Sequence, residues 1–301
     1  MKFRAHETFF IRKGWLSKGM KYVKDTGGAV FIDKKNNPMD VLGIGSNMVK
    51  SLRYWLMATG LTSEPSSGKR TQSLTELGKI VFKNDRYIEE NGTLQLIHYK
   101  LASNKDNATS WYFFFNRFNL SEFSQEDFII DLQKFIKAET KADEKEVGTL
   151  RTLSDDFSCI LGTYLPRSSS ESEKSSPENN ISCPLSELAL VAVSDRKNGI
   201  YKKAIPSSSS LNPYIALAVI ADGCGGKSEI RLDELRTAEN SISRIFNLDT
   251  ITLIEVLRNA EKTGELKIIR TAGLDVIRLA HPENDFLFYA EKFYDSLAEE
   301  K

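Results

Sequence analysis

The sequence predicts an α+β fold that is mostly α, with two winged-helix-like units joined by a helical segment. Apolar residues recur at helical spacing over most of the chain. Two regions show helices followed by a polar or two-stranded wing, and a Ser-rich stretch separates them. With 301 residues, 41% hydrophobic and 27% charged, the chain has enough apolar material for two domains.

The first block opens with a short helix whose apolar points lie between Phe9 and Tyr22, and Gly27-Gly28 ends it. The run Ala29–Ile32 predicts a short strand, and 35–38 a turn. We expect Met39–Leu42 to lead into a glycine turn, with Ser46 as the N-cap of a following helix.

That helix is predicted from Asn47 to about Thr59, closed by Gly60. Its apolar residues form one face, while Lys50 and Arg53 project on another side. A short helix, a glycine turn and an amphipathic helix with exposed cations are typical of a helix-turn-helix.

The polar segment Thr62–Thr71 carries Gly68-Lys69-Arg70 at its tip, as a basic wing does. The segment Ser73–Glu76 is a capping box that begins another helix through Phe82. A winged helix-turn-helix and a simple helical hairpin with a surface loop both fit this pattern, and many such domains bind protein instead of DNA.

Further helices are predicted over 93–103 and over the aromatic stretch that ends near Phe118. Aromatic rings beside cations can stack on bases, but so many apolar side chains favour core packing. Amphipathic helices over Gln125–Glu139 and Lys145–Ile160 then link the two halves of the chain.

The second block predicts a hairpin of 188–193 with 199–203, and a buried helix over Asn212–Ala221. Helices follow over Leu232–Asn240 and Ile251–Lys262. A hairpin across 271–273 and a closing helix over Phe286–Leu297 complete a second winged-helix pattern. The last helix before the wing carries both positive and negative side chains, so contact with protein is as well supported as contact with DNA.

These elements divide the chain into a basic winged helix-turn-helix-like domain over 1–120 and a helical connector over 121–165. A flexible Ser-rich loop over 166–182 and a winged-helix-like C-terminal domain over 183–301 complete the prediction.

The net charge of zero conceals a separation of sign along the chain. Residues 1–120 hold 19 Lys/Arg against 10 Asp/Glu, whereas residues 121–301 hold 22 against 31. A basic half indicates a polyanionic partner, although mutual attraction of the halves or a solvated surface also accounts for it. Three scattered Cys suit a reducing cytoplasm, and neither a membrane span nor an apolar signal core is present.

No dinucleotide fingerprint, kinase signature, nucleophile elbow or zinc-peptidase helix is present. A catalytic site must therefore be assembled from scattered polar residues. The candidates are His6, Glu7, Arg12, Asn47, Arg53 and His98, and Asp155-Asp156 is a weaker candidate for a cation site. A structural or surface role is the alternative for each of these residues.

The sequence also resembles a bacterial domain-of-unknown-function family found in DNA phosphorothioation gene clusters, the SspB-like family. The similarity spans nearly the whole chain and is densest before residue 120. It is carried by His6–Phe9, Arg12–Leu16, Leu42–Val49, Arg53–Trp55, Gly92–Leu94, Leu96–Ala102, Trp111–Tyr112 and Phe114–Phe118. Ser46 stands where the resemblance predicts a Lys, so one phosphate contact is not carried over.

This resemblance implies a cytoplasmic protein of a phage-defence modification system that nicks DNA so that sulfur can enter the backbone. The implied partners are double-stranded DNA and the sulfurtransferase (PAPS-reductase-like), ATPase and cysteine desulfurase components of the system. The catalytic candidates carried over are the six residues named above.

The leading hypothesis is a metal-dependent nicking endonuclease that uses Mg²⁺ or Mn²⁺ and binds duplex DNA through Lys50, Arg53, Lys69 and Arg70. The metal ligands are not identified, and a homodimer is possible. The alternatives are a non-enzymatic DNA-binding adaptor or regulator that recruits the sulfurtransferase, and a protein-binding scaffold.

Overall fold

The computed structural model describes residues 1–140, 149–166, 182–271 and 274–299. It has an α+β fold that is mostly helical, as predicted. The chain forms two compact units. One combines Met1–Phe114 with Phe118–Lys203, and the other combines Phe115–Arg117 with Ala204–Lys301.

The first unit contains most of the helices and two small antiparallel sheets. Its helices are α1 (Trp15–Asp25), α2 (Pro38–Leu42), α3 (Ser46–Ala58), α4 (Glu76–Asn84), α5 (Asn91–Ala102), α6 (Thr109–Asn116, whose last two residues are assigned to the second unit), α7 (Gln125–Thr140) and α8 (Leu150–Tyr164). Its strands are β1 (Thr62–Ser63), β2 (Ser73–Leu74), β3 (Glu122–Phe123), β4 (Val191–Asp195) and β5 (Ile200–Lys203), with a 3₁₀ turn over Pro184–Leu188. Strands β1 and β2 form a hairpin, and the second sheet has the order β3-β5-β4.

The core of the first unit is aromatic, which confirms the expectation for the stretch that ends at Phe118. Trp111, Phe114 and Phe118 are at most 1% exposed, and they pack with Phe123 and Phe128. Burial of such large rings contributes about 1.5–3 kcal/mol each to stability. These rings are therefore unavailable for stacking on bases.

The second unit has one three-stranded sheet with the order β6-β8-β7. Its elements are α9 (Pro213–Cys224), β6 (Glu229–Arg231), α10 (Leu232–Thr237), α11 (Ile242–Phe246), α12 (Thr250–Glu261), β7 (Leu266–Thr271), β8 (Leu274–Leu279) and α13 (Phe286–Glu299). The sequence pattern missed β6, because three residues with one buried side chain show no clear alternation.

Three local predictions are wrong. Ser73, expected to open the capping box of α4, lies in β2, and Thr75 is the N-cap of that helix. The run Ala29–Ile32 forms turns instead of a strand, because the amide of Ile32 donates to the carbonyl of Ala29 and no neighbouring strand is available. Ser46 is the first residue of α3, and Gly45 before it is the N-cap without a side-chain cap. The carbonyl of Gly45 accepts from the amide of Val49, so the helix begins one residue earlier than expected.

The domain limits also differ from those predicted. Residues 121–203 belong to the first unit and do not form a separate connector, because β3 pairs with β5 and α8 packs on the 3₁₀ turn. The predicted Ser-rich loop lies, apart from Pro166 and Ser182, outside the described residues. The tip of the predicted hairpin at 272–273 lies outside them too. In the described part of the chain, the helices are too short or too polar to cross a membrane.

Candidate nucleic-acid interface

A basic groove lies beside α3 and the β1–β2 hairpin. Its volume is about 580 Å³. Four cationic side chains border it, those of Lys2, Lys50, Arg53 and Arg70, against one carboxylate, that of Glu64. The groove therefore carries an excess of positive charge, which favours a polyanionic ligand.

Helix α3 positions two of these cations through its amphipathic pattern. Leu52, Trp55 and Leu56 have no exposed surface, which anchors the helix in the core. Lys50 and Arg53 lie on the other side, as predicted, and the Lys50 side chain is 63% exposed. Trp55 also donates its indole N–H to the carbonyl of Phe9 at 2.8 Å, which holds the N-terminal segment against the helix.

Arg53 organises the hairpin as well as lining the groove. Its Nε donates to Glu64 Oε1 at 2.6 Å, and its Nη2 donates to the carbonyl of Arg70 at 3.1 Å. The side chain of Gln72 donates to the carbonyl of Arg53 at 2.9 Å and to Glu64 Oε1 at 3.3 Å. Since the Arg53 side chain is 26% exposed and that of Glu64 is 11% exposed, this ion pair is shielded from water.

The other DNA-binding candidates differ in their surroundings. The Arg70 guanidinium lines the groove, and no carboxylate pairs with it in the part of the chain that the structure describes. Lys69 is exposed in the β1–β2 loop but does not line the groove. Lys2, which the sequence reasoning missed, donates to Asn107 Oδ1 at 2.9 Å. No local motif marks Lys2, because it reaches the groove only through the fold.

Two of the six catalytic candidates, Glu7 and Asn47, contact Lys50, although neither of them lines the groove. Lys50 Nζ lies 3.9 Å from Glu7 Oε1 and 3.4 Å from Asn47 Oδ1. Glu7 adopts a left-handed backbone conformation with φ of 51°, and Arg4 and Thr8 do the same, with φ of 55° and 69°. A non-glycine residue in this region is uncommon, and three within five residues indicate a segment that its surroundings hold in place.

His6 holds this segment in place from inside the core. Its side chain has no exposed surface, its Nε2 lies 2.8 Å from Asp156 Oδ1, and its Nδ1 accepts the amide N–H of Thr8 at 3.0 Å. An Nδ1 that accepts requires the tautomer whose Nε2 carries the proton and donates to Asp156. Both ring nitrogens are therefore occupied, and in this conformation His6 has no lone pair for a substrate.

Asp156 is the centre of this buried network. Its carboxylate accepts from the amide of Arg4 at 2.8 Å, from His6 and from the Ser110 hydroxyl at 2.5 Å, and the residue is 1% exposed. The neighbouring Asp155 pairs with Arg4 at 2.6 Å. Arg4 therefore bonds to both carboxylates, through its amide and through its guanidinium, and among the described residues the pair is not part of a metal-ligating cluster.

His98 and Arg12 lie apart from the groove. His98 is fully buried, and its Nδ1 lies 2.8 Å from the Tyr164 hydroxyl. Burial raises the pKa of Tyr164 well above its usual value, so its hydroxyl stays protonated. The Arg12 guanidinium stacks on Phe9 and Trp15 and lines a different cavity. Of the six candidates, the structure thus brings Arg53 to the groove, places Glu7 and Asn47 beside the groove residue Lys50, and leaves the other three elsewhere.

The residues available for a metal ion are few. In the described ranges, no three His, Cys, Asp or Glu side chains converge as metal ligands do. Glu64 lines the groove but is bonded to Arg53, and Glu7 lies near Lys50 without lining the groove. The three cysteines are buried, and burial raises the pKa of the Cys183 thiol to about 12. The donor set does not form a complete metal centre.

Fold and groove together define a mostly helical protein with a basic concave surface next to a helix and a short hairpin. The chain matches the family described as "Protein of unknown function (DUF4007)" over residues 3–293, and it belongs to that family.

Two solved structures share its fold. One is described as the SspB crystal structure, with a TM-score of 0.81, and the other as the magnesium ion-bound SspB crystal structure, with a TM-score of 0.79. Each is 24% identical in sequence, and each alignment covers 99% of this chain and 87% of the other. No curated protein matches.

Proposed function

We propose that this protein binds duplex DNA through the basic groove, as a component of a DNA phosphorothioation system. The observation that carries the proposal is the convergence of Lys2, Lys50, Arg53 and Arg70 on one concave surface. Cationic side chains are the usual contacts to the phosphates of a duplex, and they position a protein on DNA. The exposed Lys69 lies beside this surface and adds a further cation.

The order of elements in the second unit supports a second winged-helix domain. Helix α9 is followed by β6, the helices α10 to α12 and the β7–β8 hairpin, and the central strand β8 pairs with both others. This unit serves in the proposal as the protein-contact half, because Glu255 and Glu261 stand on α12 among its cations.

The assignment of this protein to a phosphorothioation system rests on the sequence segments that resemble the family and on the fold shared with SspB. The partners in this proposal are the PAPS-reductase-like sulfurtransferase, the ATPase and the cysteine desulfurase of the same system. The protein would present the DNA backbone to the enzyme that delivers sulfur.

Strand nicking is the finer part of the proposal. Support for it comes from the oxygen atoms of Glu7 and Asn47 beside Lys50, and from the cations Lys50 and Arg53, which in this proposal bind the scissile phosphate. Because the described residues do not form a complete metal centre, we derive no metal-dependent step. Mg²⁺ is often held by one or two carboxylates and the phosphates of the substrate, so the proposed cofactor would require bound DNA.

The binding test is fluorescence anisotropy of a labelled duplex over a range of salt concentrations. The logarithm of the association constant falls linearly with the logarithm of the salt concentration, and each cation that contacts a phosphate makes this slope steeper by about 0.9. Lys50→Ala and Arg70→Ala should therefore each make the slope shallower by roughly that amount. Lys34→Ala, an exposed lysine away from the groove, is the matched control and should leave the slope unchanged. Equal slopes for all variants would refute DNA binding at the groove.

The nicking test is relaxation of supercoiled plasmid with added Mg²⁺ or Mn²⁺. We expect Glu7→Gln and Arg53→Ala to abolish plasmid relaxation, since both residues act at or beside the groove. His6→Ala should reduce relaxation only as far as it reduces the fraction of folded protein. If the wild type binds but relaxes no plasmid with either metal, alone or with the partner proteins, the second candidate holds. That candidate is a DNA-binding adaptor, which the burial of His6 and His98 favours.

A further inference from the structure

A second cavity lies at the N-terminal end of α1 and shares no lining residue with the basic groove. Its volume is about 720 Å³, which is within the range of small-ligand sites. Its walls come from the first turn of α1, the turn 87–89, helix α5 and the 3₁₀ segment.

The first turn of α1 leaves its amides open. The N-cap is Gly14 in the left-handed conformation, without a side-chain cap, and the turn holds no acidic residue. The amides of Leu16 and Ser17 have no acceptor within the described part of the chain. Unpaired amides at the positive end of a helix favour an anion.

Ser17 gives an independent indication of a ligand. The residue is only 9% exposed, and it lines the cavity. Its hydroxyl has no partner among the described residues, yet it is not sealed from solvent. Since Ser17 lines the cavity and its hydroxyl is not engaged within the described chain, this hydroxyl can donate a hydrogen bond to a polar ligand there.

Two cations stand beside this turn. The Arg12 guanidinium lies 5.7 Å from the Phe9 ring centre and 5.5 Å from that of Trp15, so stacking holds it in place while its N–H groups remain available. Lys13 is exposed next to it. Neither pairs with a carboxylate in the described ranges, although Glu89 and Glu187 line the same cavity.

An exposed aromatic ring lies at the rim of the cavity. Tyr87 is 66% exposed and precedes Ile88, whose φ of 57° is strained for a β-branched residue. Asp85 stabilises this turn by accepting the amides of Glu89 and Glu90 at 2.9 and 3.0 Å. The strained turn thus keeps an aromatic face and a carboxylate at the cavity mouth, where they can bind a base and sugar hydroxyls.

We propose that this cavity binds a nucleoside 5′-phosphate, with the phosphate at the N-terminus of α1 and the nucleoside between Tyr87 and the two carboxylates. Arg12, Lys13, Ser17 and the free amides hold the phosphate. The ligand is either a free nucleotide or the 5′-phosphate end of a broken DNA strand, since both present the same group.

The test is titration of the full chain with dAMP, observed by ³¹P NMR and calorimetry, with deoxyadenosine as the ligand that lacks phosphate. We expect dAMP to bind and deoxyadenosine to bind about tenfold more weakly or worse, because charged hydrogen bonds are lost. Ser17→Asp should abolish dAMP binding, since it places a carboxylate at the phosphate position. An acidic residue in the first turn stabilises a helix, so this variant should still fold, which its thermal midpoint checks.

The matched control is Lys21→Gln, which removes a cation from the same helix outside the cavity and should leave dAMP affinity unchanged. A 5′-phosphorylated hexanucleotide and its 5′-hydroxyl counterpart then distinguish the two sources. Displacement of dAMP by the phosphorylated strand alone assigns the site to a strand end, and no displacement by either assigns it to free nucleotide. Absence of dAMP binding by the wild type, or equal binding by Ser17→Asp, would overturn the proposal.

Discussion

At the residue scale, Asp156 supports the N-terminal segment that borders the groove. Its buried carboxylate accepts hydrogen bonds from Arg4, His6 and Ser110. Removing an acceptor from a buried network leaves each donor unsatisfied, at a cost of about 1–3 kcal/mol per group. The chain segment that carries Glu7 therefore depends on a residue about 150 positions away.

We expect Asp156→Ala to lower the free energy of unfolding by about 3 kcal/mol or more, as measured by urea denaturation. Asp155→Ala removes only the partly exposed pair with Arg4 and should cost less than about 1 kcal/mol. Equal effects of the two changes would show that the buried network does not stabilise the fold.

The Arg53–Glu64 pair determines the charge of the groove. Because the carboxylate neutralises one of four cations, Glu64→Gln should strengthen duplex binding at low salt by about fivefold, or ~1 kcal/mol. Glutamine keeps an oxygen acceptor for Arg53, so the hairpin should stay in place. Glu76→Gln, on α4 and paired with Lys79, is the control in the same anisotropy measurement. Unchanged affinity in Glu64→Gln would place the DNA elsewhere.

At the element scale, the β1–β2 hairpin is short, and contacts outside it set its position. Only two residue pairs join the strands, Thr62 with Leu74 and Ser63 with Ser73. Beyond them, the amide of Gln72 donates to the carbonyl of Gly28 at 3.1 Å. An isolated hairpin of this length is unstable in water, so α3 and the turn at Gly28 must hold it.

Gly28→Ala should displace this hairpin. The new methyl group would lie 1.9 Å from the carbonyl oxygen of Gln72, and the φ of 83° already disfavours a side chain. We expect a loss of about 3 kcal/mol or more in stability together with weaker DNA binding.

The matched control is Gly27→Ala, where φ is 57° and nothing lies within 4 Å of the new methyl group. It should cost only about 1 kcal/mol of backbone strain. Urea denaturation and duplex anisotropy measure both effects. Similar values for the two variants would mean that the close approach to Gln72 does not restrain the hairpin.

At the scale of the whole molecule, buried thiol and phenol groups make the free energy of unfolding depend on pH in the alkaline range. Burial raises the pKa of the Cys183 thiol from 9.0 to about 12, and it raises those of Cys159 and Tyr164 well above their usual values. A group whose pKa is higher in the folded than in the unfolded chain stabilises the fold at low pH. Its contribution is complete below pH 9 and is lost as the pH rises toward 12.

We therefore expect the urea midpoint to fall as the pH rises above about 9. Cys183→Ser replaces the thiol with a hydroxyl that does not ionise in this range, so it should make the decline shallower. Comparison of the two proteins isolates the contribution of this thiol to the pH dependence. Identical pH profiles would show that the thiol does not ionise on unfolding.

The helices were largely predictable from sequence, because each depends on local spacing and capping. Helix α7 begins at Gln125 as expected, whereas the cap of α4 is Thr75, which accepts the amide of Gly78, and not Ser73 as predicted. The strands were less predictable. Ala29–Ile32 has strand composition but no partner, and β3 exists only because β5 lies beside it.

The candidate site was predictable only in part, for the same reason. The position of Lys50 and Arg53 on the face of α3 away from the core follows from helical periodicity. Lys2 reaches the groove and His6 enters the core only through long-range contacts. Residue type alone cannot distinguish a buried histidine bonded to an aspartate from one that faces a substrate.

The sequence by itself determined the mostly helical fold class, the basic character of the first 120 residues and the amphipathic face of α3. Periodicity and composition are local properties, and they are sufficient for these features. The tertiary structure alone decided that Arg53 pairs with Glu64, that Asp156 anchors the N-terminal segment, and that Arg12 lines a separate cavity. Those outcomes depend on burial and on contacts between distant residues, which no local pattern encodes.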